Sequence, residues 1–239
     1  MTDLQKRYEE LNKQNFPDGE RIKFIADLGA SDKIEYHYQL ICKDRDEGMN
    51  LNLSGSFYKH DKEGLEYLFE VLDNEDDENL KVFTAYFMAE TLFKLRHRDF
   101  YLEFCNKLIP VITSLIETRD ALLRQKIIIA LGWIGSSDEI DILTKQMSED
   151  KDSFCRAWSA SSLMQMSFHG VDKEVIQEKT KPCFASVIAA ETDLYACGIM
   201  IEAAQILFGK KWISSSAAED VDAEKIERAR KSAVRFLNK

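Results

Sequence analysis

Four histidines, His37, His60, His97 and His169, are the first residues to consider for chemistry. Two histidines spaced i, i+4 on a helix could bind a metal ion, but no two of these have that spacing. The His60-Asp61 dipeptide, with His37 upstream, could supply metal ligands, yet we find no third ligand in the sequence. We therefore favour a helix N-terminus with Asp61 as its cap, and we predict no metal site and no cofactor.

The five cysteines are Cys42, Cys105, Cys155, Cys183 and Cys197, an odd number of widely spaced residues in apolar helical context. This distribution is typical of reduced thiols and not of a disulfide framework or a zinc site. Cys155 and Cys197 lie at or beside the predicted packing stripe, which favours burial over nucleophilic use. Because we also find no glycine-rich phosphate loop, we predict a protein that is not an enzyme, with no catalytic residues.

Charge and composition restrict the function classes further. The 239 residues carry a formal net charge of −10, which disfavours nucleic-acid binding because phosphate contacts need clustered Lys and Arg. The low content of glycine and proline, 10 and 3 residues, favours helices. The longest apolar run, residues 127–134, is far shorter than the roughly 18 residues of a spanning helix, and the polar N-terminus resembles no signal peptide. We expect a cytoplasmic protein without membrane contact.

One repeated pattern organises the chain. Four predicted helix starts, Asn79, Asp120, Asp152 and Asp193, are separated by 41, 32 and 41 residues, and each can cap a first turn. Offsets 3, 7, 10 and 14 from each start form one stripe, with Ala or Ser always at offset 10, where a neighbouring helix can approach closely. A shorter apolar segment precedes each of these helices across a short link, which predicts antiparallel pairs in an all-α fold.

The residues around Asp120 carry a family resemblance. Asp120, Arg124, Ala130-Leu131-Gly132 and Ile134-Gly135 resemble a HEAT repeat of the short, bacterial-lyase-like type, and residues 152–166 are similar with Arg156 at the same spacing. The resemblance extends over about residues 63–209. It implies a right-handed α-solenoid of antiparallel helical pairs with an armadillo-type fold.

We expect a single α-solenoid domain over residues 1–239. Residues 1–60 would form a degenerate N-terminal pair and a loop, residues 61–209 four HEAT-like pairs, and residues 215–239 a C-terminal capping helix. Within the first part, the alternating segment 45–59 predicts a long loop or a short extended piece.

Candidate partner-binding residues follow from the resemblance, because the second helix of each HEAT pair generally lines the concave surface. Offsets away from the stripe select Thr84, Met88, Gln125, Trp158, Ser161, Gln165, Glu202 and Gln205. A second candidate is the acidic stretch 61–78, with a local net charge of −8, which is either a solvated linker or a docking patch for a basic partner. Its densest part is Glu75, Asp76, Asp77 and Glu78.

A scaffold-like module that binds a protein partner, favouring a basic one, is therefore our interpretation. A more specific version is an immunity-type inhibitor of a basic toxin. Alternatives are a lyase-like HEAT enzyme or accessory protein, and a glycosylase-like protein using Trp133, Trp158 and Trp212, which the net charge opposes. Trp133 and Trp158 flank the stripe as either inter-repeat contacts or binding anchors. The sequence leaves the oligomeric state open.

Overall fold

The structure, a computed structural model, describes residues 2–239, and within them it contains helices and no β-strand. Two 3₁₀ helices, Leu53–His60 and Ser137–Glu139, accompany the α-helices. The α-helices are α1 (Asp3–Lys13), α2 (Asp18–Ala30), α3 (Ile34–Glu47), α4 (Asp61–Asn74), α5 (Glu78–Lys94), α6 (Tyr101–Ser114), α7 (Ala121–Ile134), α8 (Ile140–Glu149), α9 (Ser153–Met166), α10 (Lys173–Ala190), α11 (Leu194–Leu207), α12 (Ser215–Glu219) and α13 (Ala223–Leu237). The all-α prediction with HEAT-like helical repeats is confirmed.

The chain divides into two compact units. The first unit comprises, among the described residues, 2–76 and 94–104, and the second comprises residues 77–93 and 105–239. The first contains α1 to α4, whereas the second contains the consecutive pairs α8–α9 and α10–α11 together with α7, α12 and α13. The predicted subdivision of a single domain stays a prediction.

Segment 45–59 differs from the predicted loop or extended piece. Helix α3 continues to Glu47, and the chain then forms the 3₁₀ helix Leu53–His60. Asn50 and Asn52 adopt left-handed backbone angles, with φ of 57° and 60°, so the alternating pattern produces turns in place of a strand. The leucines of this pattern are buried, which explains the alternation without any sheet.

Three of the four residues predicted to begin the second helices are N-caps in the structure. Asp120, Asp152 and Asp193 each accept hydrogen bonds from first-turn backbone N–H groups. The predicted start at Asn79 was two residues too late, because Asp77 accepts from the backbone N–H of Leu80 at 2.8 Å and α5 begins at Glu78. Aspartate therefore begins each of the four second helices.

Small residues bring α7 and α9 together. Ala130 is fully buried, and the Ser162 hydroxyl donates to the Ile128 carbonyl oxygen at 2.9 Å. A Cβ at Gly132 would lie 2.8 Å from the Ser162 Cβ, closer than real Cβ contacts. The small side chains at these positions are therefore required by the distance between the two helices.

We predict that Ala130→Leu lowers the free energy of unfolding by roughly 1 to 3 kcal/mol, because three added carbons overpack this contact. The control is Ala189→Leu, at an exposed position in the last turn of α10. Chemical denaturation monitored by circular dichroism gives both values, and equal stability of the two variants would contradict the close packing.

Two arginines connect consecutive repeats. Arg124 donates to both carboxylate oxygens of Asp150 at 2.8 Å and also to the Thr118 and Arg119 carbonyl oxygens. Arg156, at the same place in the next repeat, binds both carboxylate oxygens of Glu191 at 2.8 Å. Each arginine thereby bonds to the loop that precedes its own helix and to the loop between the two helices of the following repeat.

Residues 215–239 form two helices and not the single predicted one. Val221 has a left-handed φ of 52°, and Asp222 caps α13 by accepting from the Lys225 N–H. This break lets α13 pack against α10 and α11 with its apolar side. The buried residues of α13 are Ile226, Ala229, Ala233 and Leu237.

Candidate partner-binding surface

Helix α9 presents a stripe of side chains that the fold leaves exposed or half-buried. We define the α9 stripe as Phe154, Trp158, Ser161, Gln165 and Phe168. Phe154, Trp158, Ser161 and Gln165 are spaced by 4, 3 and 4 residues, which places them in one row, since a helix has 3.6 residues per turn. Phe168 follows in the turn after α9 ends at Met166. Phe154 is 37% exposed and Phe168 61% exposed. The stripe therefore offers three aromatic side chains to solvent.

The neighbouring second helices extend this stripe. Helix α9 packs between α7 and α11, and the corresponding offsets carry Leu122 on α7 and Tyr195 and Ile206 on α11. Leu122 is 68% exposed and Ile206 39% exposed. The Phe154 and Tyr195 rings lie 5.7 Å apart, which joins the apolar positions of α9 and α11. We call the α9 stripe together with Leu122, Tyr195 and Ile206 the second-helix face.

Polar bonds hold these helices in register. The Gln125 side-chain amide donates to the Asp152 carboxylate at 3.2 Å, and the Ser153 hydroxyl donates to Asp193 at 3.2 Å. Both acceptors are N-caps, so each cap also anchors the preceding helix. The backbone positions under the second-helix face are thereby fixed.

A comparison with known families now identifies the repeat. The family model of HEAT repeats matches residues 65–164, from α4 through most of α9. Residues 65–164 therefore contain HEAT repeats, within a chain that is helical along its described length. No curated protein and no solved structure matches it significantly. HEAT repeats generally mediate protein–protein interaction, and the family is typically a non-enzymatic scaffold.

Two residues predicted to line the binding surface are buried. Thr84 and Met88 are both 0% exposed, and the Thr84 hydroxyl donates to the Leu80 carbonyl within its own helix. Helix α5 carries large apolar side chains around its whole circumference, and such helices are buried on most sides. The prediction that these two residues contact a partner is therefore wrong.

The other predicted residues on the second helices lie at or near the surface of the HEAT repeats. Trp158, Ser161 and Gln165 belong to the α9 stripe, and Glu202 is half-buried on α11. Gln125 and Gln205 have structural partners, since the Gln205 side-chain oxygen accepts from the backbone of Trp212 and Ile213 at 3.0 and 3.1 Å. Their role in binding stays a prediction.

The acidic positions are also at the surface. Asp76, Asp77 and Glu78 are exposed and Glu75 is half-buried. Because Asp77 caps α5, one of the four carboxylates has a structural use. Whether the others dock a partner is not decided by the fold.

Sequence reasoning missed a row of large apolar side chains on the second helices. Leu122, Phe154 and Tyr195 share offset 2 from their capping aspartates, and a stripe-only alignment ignores that offset. A large apolar residue recurring outside the packing stripe was the available signal.

Trp133 contacts the Tyr86 and Phe93 rings at 5.1 and 6.4 Å, so it is an inter-repeat contact.

The two cysteines considered as possible nucleophiles, Cys155 and Cys197, are buried. Burial raises the pKa of Cys155 to about 12 and that of Cys197 to about 11, which disfavours their thiolates. Asp61 does not cap α4 as predicted, because its carboxylate pairs with Arg98. Within residues 2–239, no cluster of three or more His, Cys, Asp or Glu side chains could hold a metal ion.

The histidines form an internal pair. Nδ1 of His37 lies 2.8 Å from Nε2 of His60, and Nε2 of His37 lies 2.9 Å from the Leu53 carbonyl oxygen. Because a carbonyl only accepts, Nε2 of His37 must donate there, and Nδ1 of the neutral ring then accepts from His60. Burial lowers the pKa of both rings, that of His37 to about 4. Both histidines are therefore neutral at pH 7 in this arrangement.

No helix among residues 2–239 combines the length and the hydropathy that crossing a membrane requires.

Proposed function

We propose that this protein binds a protein partner through the second-helix face. The observation that supports this most directly is a large apolar or aromatic side chain at the same offset of α7, α9 and α11, exposed at Leu122 and Phe154 and half-buried at Tyr195. An isolated exposed leucine needs no explanation, whereas a contiguous apolar patch typically marks an interaction site.

Trp158 is the expected anchor of this interaction. It lies between Phe154 and Ser161 in the α9 stripe and is half-buried. Tryptophan and tyrosine are enriched among the residues that dominate binding energies, because a large rigid ring buries much area with little loss of entropy. Phe154, one turn before it on α9, and Tyr195 on α11 form an aromatic pair with their rings 5.7 Å apart.

The polarity of the face indicates the kind of partner. Ser161 and Gln165 offer hydrogen bonds, and Glu202 on α11 offers a carboxylate. This mixture of aromatic and uncharged polar groups suits an amphipathic protein segment better than a phosphate backbone. The acidic residues Glu75 to Glu78 would accelerate encounter with a basic partner, because clustered charge acts mainly on association rate.

Trp158→Ala should weaken partner binding at least tenfold, equivalent to about 1.4 kcal/mol or more. The partner would first be isolated with the protein from its native source, identified by mass spectrometry, and then titrated calorimetrically. Leu102→Ala is the control, since Leu102 is 69% exposed but lies outside the second-helix face. Unchanged affinity of the tryptophan variant, with unchanged helicity, would show that the partner binds elsewhere.

A further inference from the structure

Helix α13 carries a row of exposed cations on the side opposite its buried residues. Arg228, Lys231 and Arg235 are exposed and follow one another at spacings of 3 and 4 residues. Arg228 has an ion pair with Glu224 at 2.6 Å. Within residues 2–239, Lys231 and Arg235 have no carboxylate within 4.0 Å. We call these three residues the basic row.

An aromatic cluster adjoins this row. The Trp212 and Phe236 rings lie 5.7 Å apart, and the Lys210 and Lys181 ammonium groups lie 4.9 and 5.7 Å from the Phe236 centroid. A cavity of about 360 Å³ opens beside Phe236. Its lining residues are Glu174, Gln177, Glu178, Lys181, Phe208 and Phe236. The surface thus combines cations with apolar area, although two glutamates lie at the cavity.

Helix α4 carries the opposite charge in the same pattern. Glu63, Glu66, Glu70 and Asp73 are all exposed, on the side of α4 that faces away from Leu65, Leu68 and Leu72. Their spacings are 3, 4 and 3 residues. Only Glu66 has an ion pair among these four in the described part of the chain, with Lys62 at 3.6 Å. We call these four residues the acidic row.

We propose that the basic row of one molecule docks on the acidic row of a second copy of this chain. In an antiparallel arrangement, Arg228, Lys231 and Arg235 meet Asp73, Glu70 and Glu66, because both rows step by 3 and then 4 residues in opposite directions. Successive charges are about 4.5 to 6 Å apart on each helix, so the three contacts form together. Antiparallel helices also align their dipoles favourably.

A second copy explains these features better than a polyanion does. The chain has a net charge of −10, so nucleic acid or an anionic vesicle would be repelled by most of its surface. A second copy presents carboxylates at the spacing of the basic row. Net repulsion between copies is screened beyond about 8 to 10 Å at physiological salt, whereas contacts at ion-pair distance persist in part.

The contact joins two different surfaces, so it is heterologous. Each molecule keeps one free row after pairing, and further copies can add until a ring closes or a chain grows. Because exposed ion pairs are individually weak, we expect a reversible association that depends on protein concentration and is lost at high salt.

Charge reversal tests the proposal in sedimentation-velocity experiments at low salt. One variant carries Lys231→Glu and Arg235→Glu, and a second carries Glu66→Lys and Glu70→Lys. Each alone places like charges opposite one another and should associate at least about tenfold more weakly than the wild type. An equimolar mixture restores opposite charges at both rows and should recover association. A control with Lys6→Glu and Lys13→Glu changes net charge by the same amount as the first variant, at exposed positions of α1, and should associate as the wild type does.

Three results would overturn the proposal. The wild type could remain monomeric at every concentration and salt tested. Either reversed variant could associate as strongly as the wild type. The mixture could fail to associate although both variants have native circular dichroism spectra.

Discussion

Arg124→Met should lower the free energy of unfolding by about 3 kcal/mol, since removing one member of a buried ion pair leaves its partner unpaired. The Asp150 side chain is only 3% exposed and that of Arg124 14% exposed. The hydrogen bonds that Arg124 donates to Asp150 raise the pKa of the guanidinium, so the arginine is charged throughout the accessible pH range. The variant also removes the donors to the Thr118 and Arg119 carbonyl oxygens.

A double-mutant cycle separates the ion pair from these other losses. Asp150→Asn should also destabilise, and the double variant should lose less than the sum of the two single variants, because the first substitution already breaks the pair. Arg119→Met is the matched control, at an exposed position five residues earlier. Additive losses, or a stability of Arg124→Met equal to that of the control, would contradict the role of this pair in joining repeats.

Acidification from pH 6.5 to pH 4 should cost about 3 kcal/mol of stability through His37 alone. The buried ring has a pKa of about 4, below the ordinary value of 6.5, so the unfolded chain binds the proton more tightly. Protons in this window therefore favour unfolding, and the stability contributed by the neutral ring is fully present only above pH 6.5. A proton on Nδ1 of His37 would also face the N–H of His60 across 2.8 Å.

Urea denaturation at several pH values measures this effect. His37→Gln should flatten the decline in stability between pH 6.5 and pH 4, whatever its stability at neutral pH. His97→Gln, at an exposed position, should decline as the wild type does. Parallel pH profiles for the wild type and His37→Gln would show that another group causes the acid sensitivity.

The repeat architecture was accessible from the sequence because it depends on local rules. Asp120, Asp152 and Asp193 begin helices through bonds to backbone groups two or three residues away, and the packing stripe follows from 3.6 residues per turn. Ala130 and Ser162 recur at one offset because two helices approach each other there. The HEAT repeat and the all-α fold follow from such short-range patterns.

The candidate surface was only partly predictable for the same reason. Trp158, Ser161 and Gln165 are half-buried on α9, where their offsets from the stripe place them, and their part in binding stays a prediction. Helical periodicity alone does not tell which neighbouring element covers that side. Thr84 and Met88 have comparable offsets on α5 and are fully buried.

Tertiary structure decided the features that depend on residues distant in the chain. The bond between His37 and His60 joins positions 23 residues apart, and the pairing of Arg156 with Glu191 joins positions 35 residues apart. Neither pairing has a local signal, since each partner's own segment folds by its caps and apolar stripe. The sequence by itself determined that Asp120, Asp152 and Asp193 begin helices and which side of those helices is apolar. Only the packing of those helices determined which polar groups meet and which apolar side chains remain exposed.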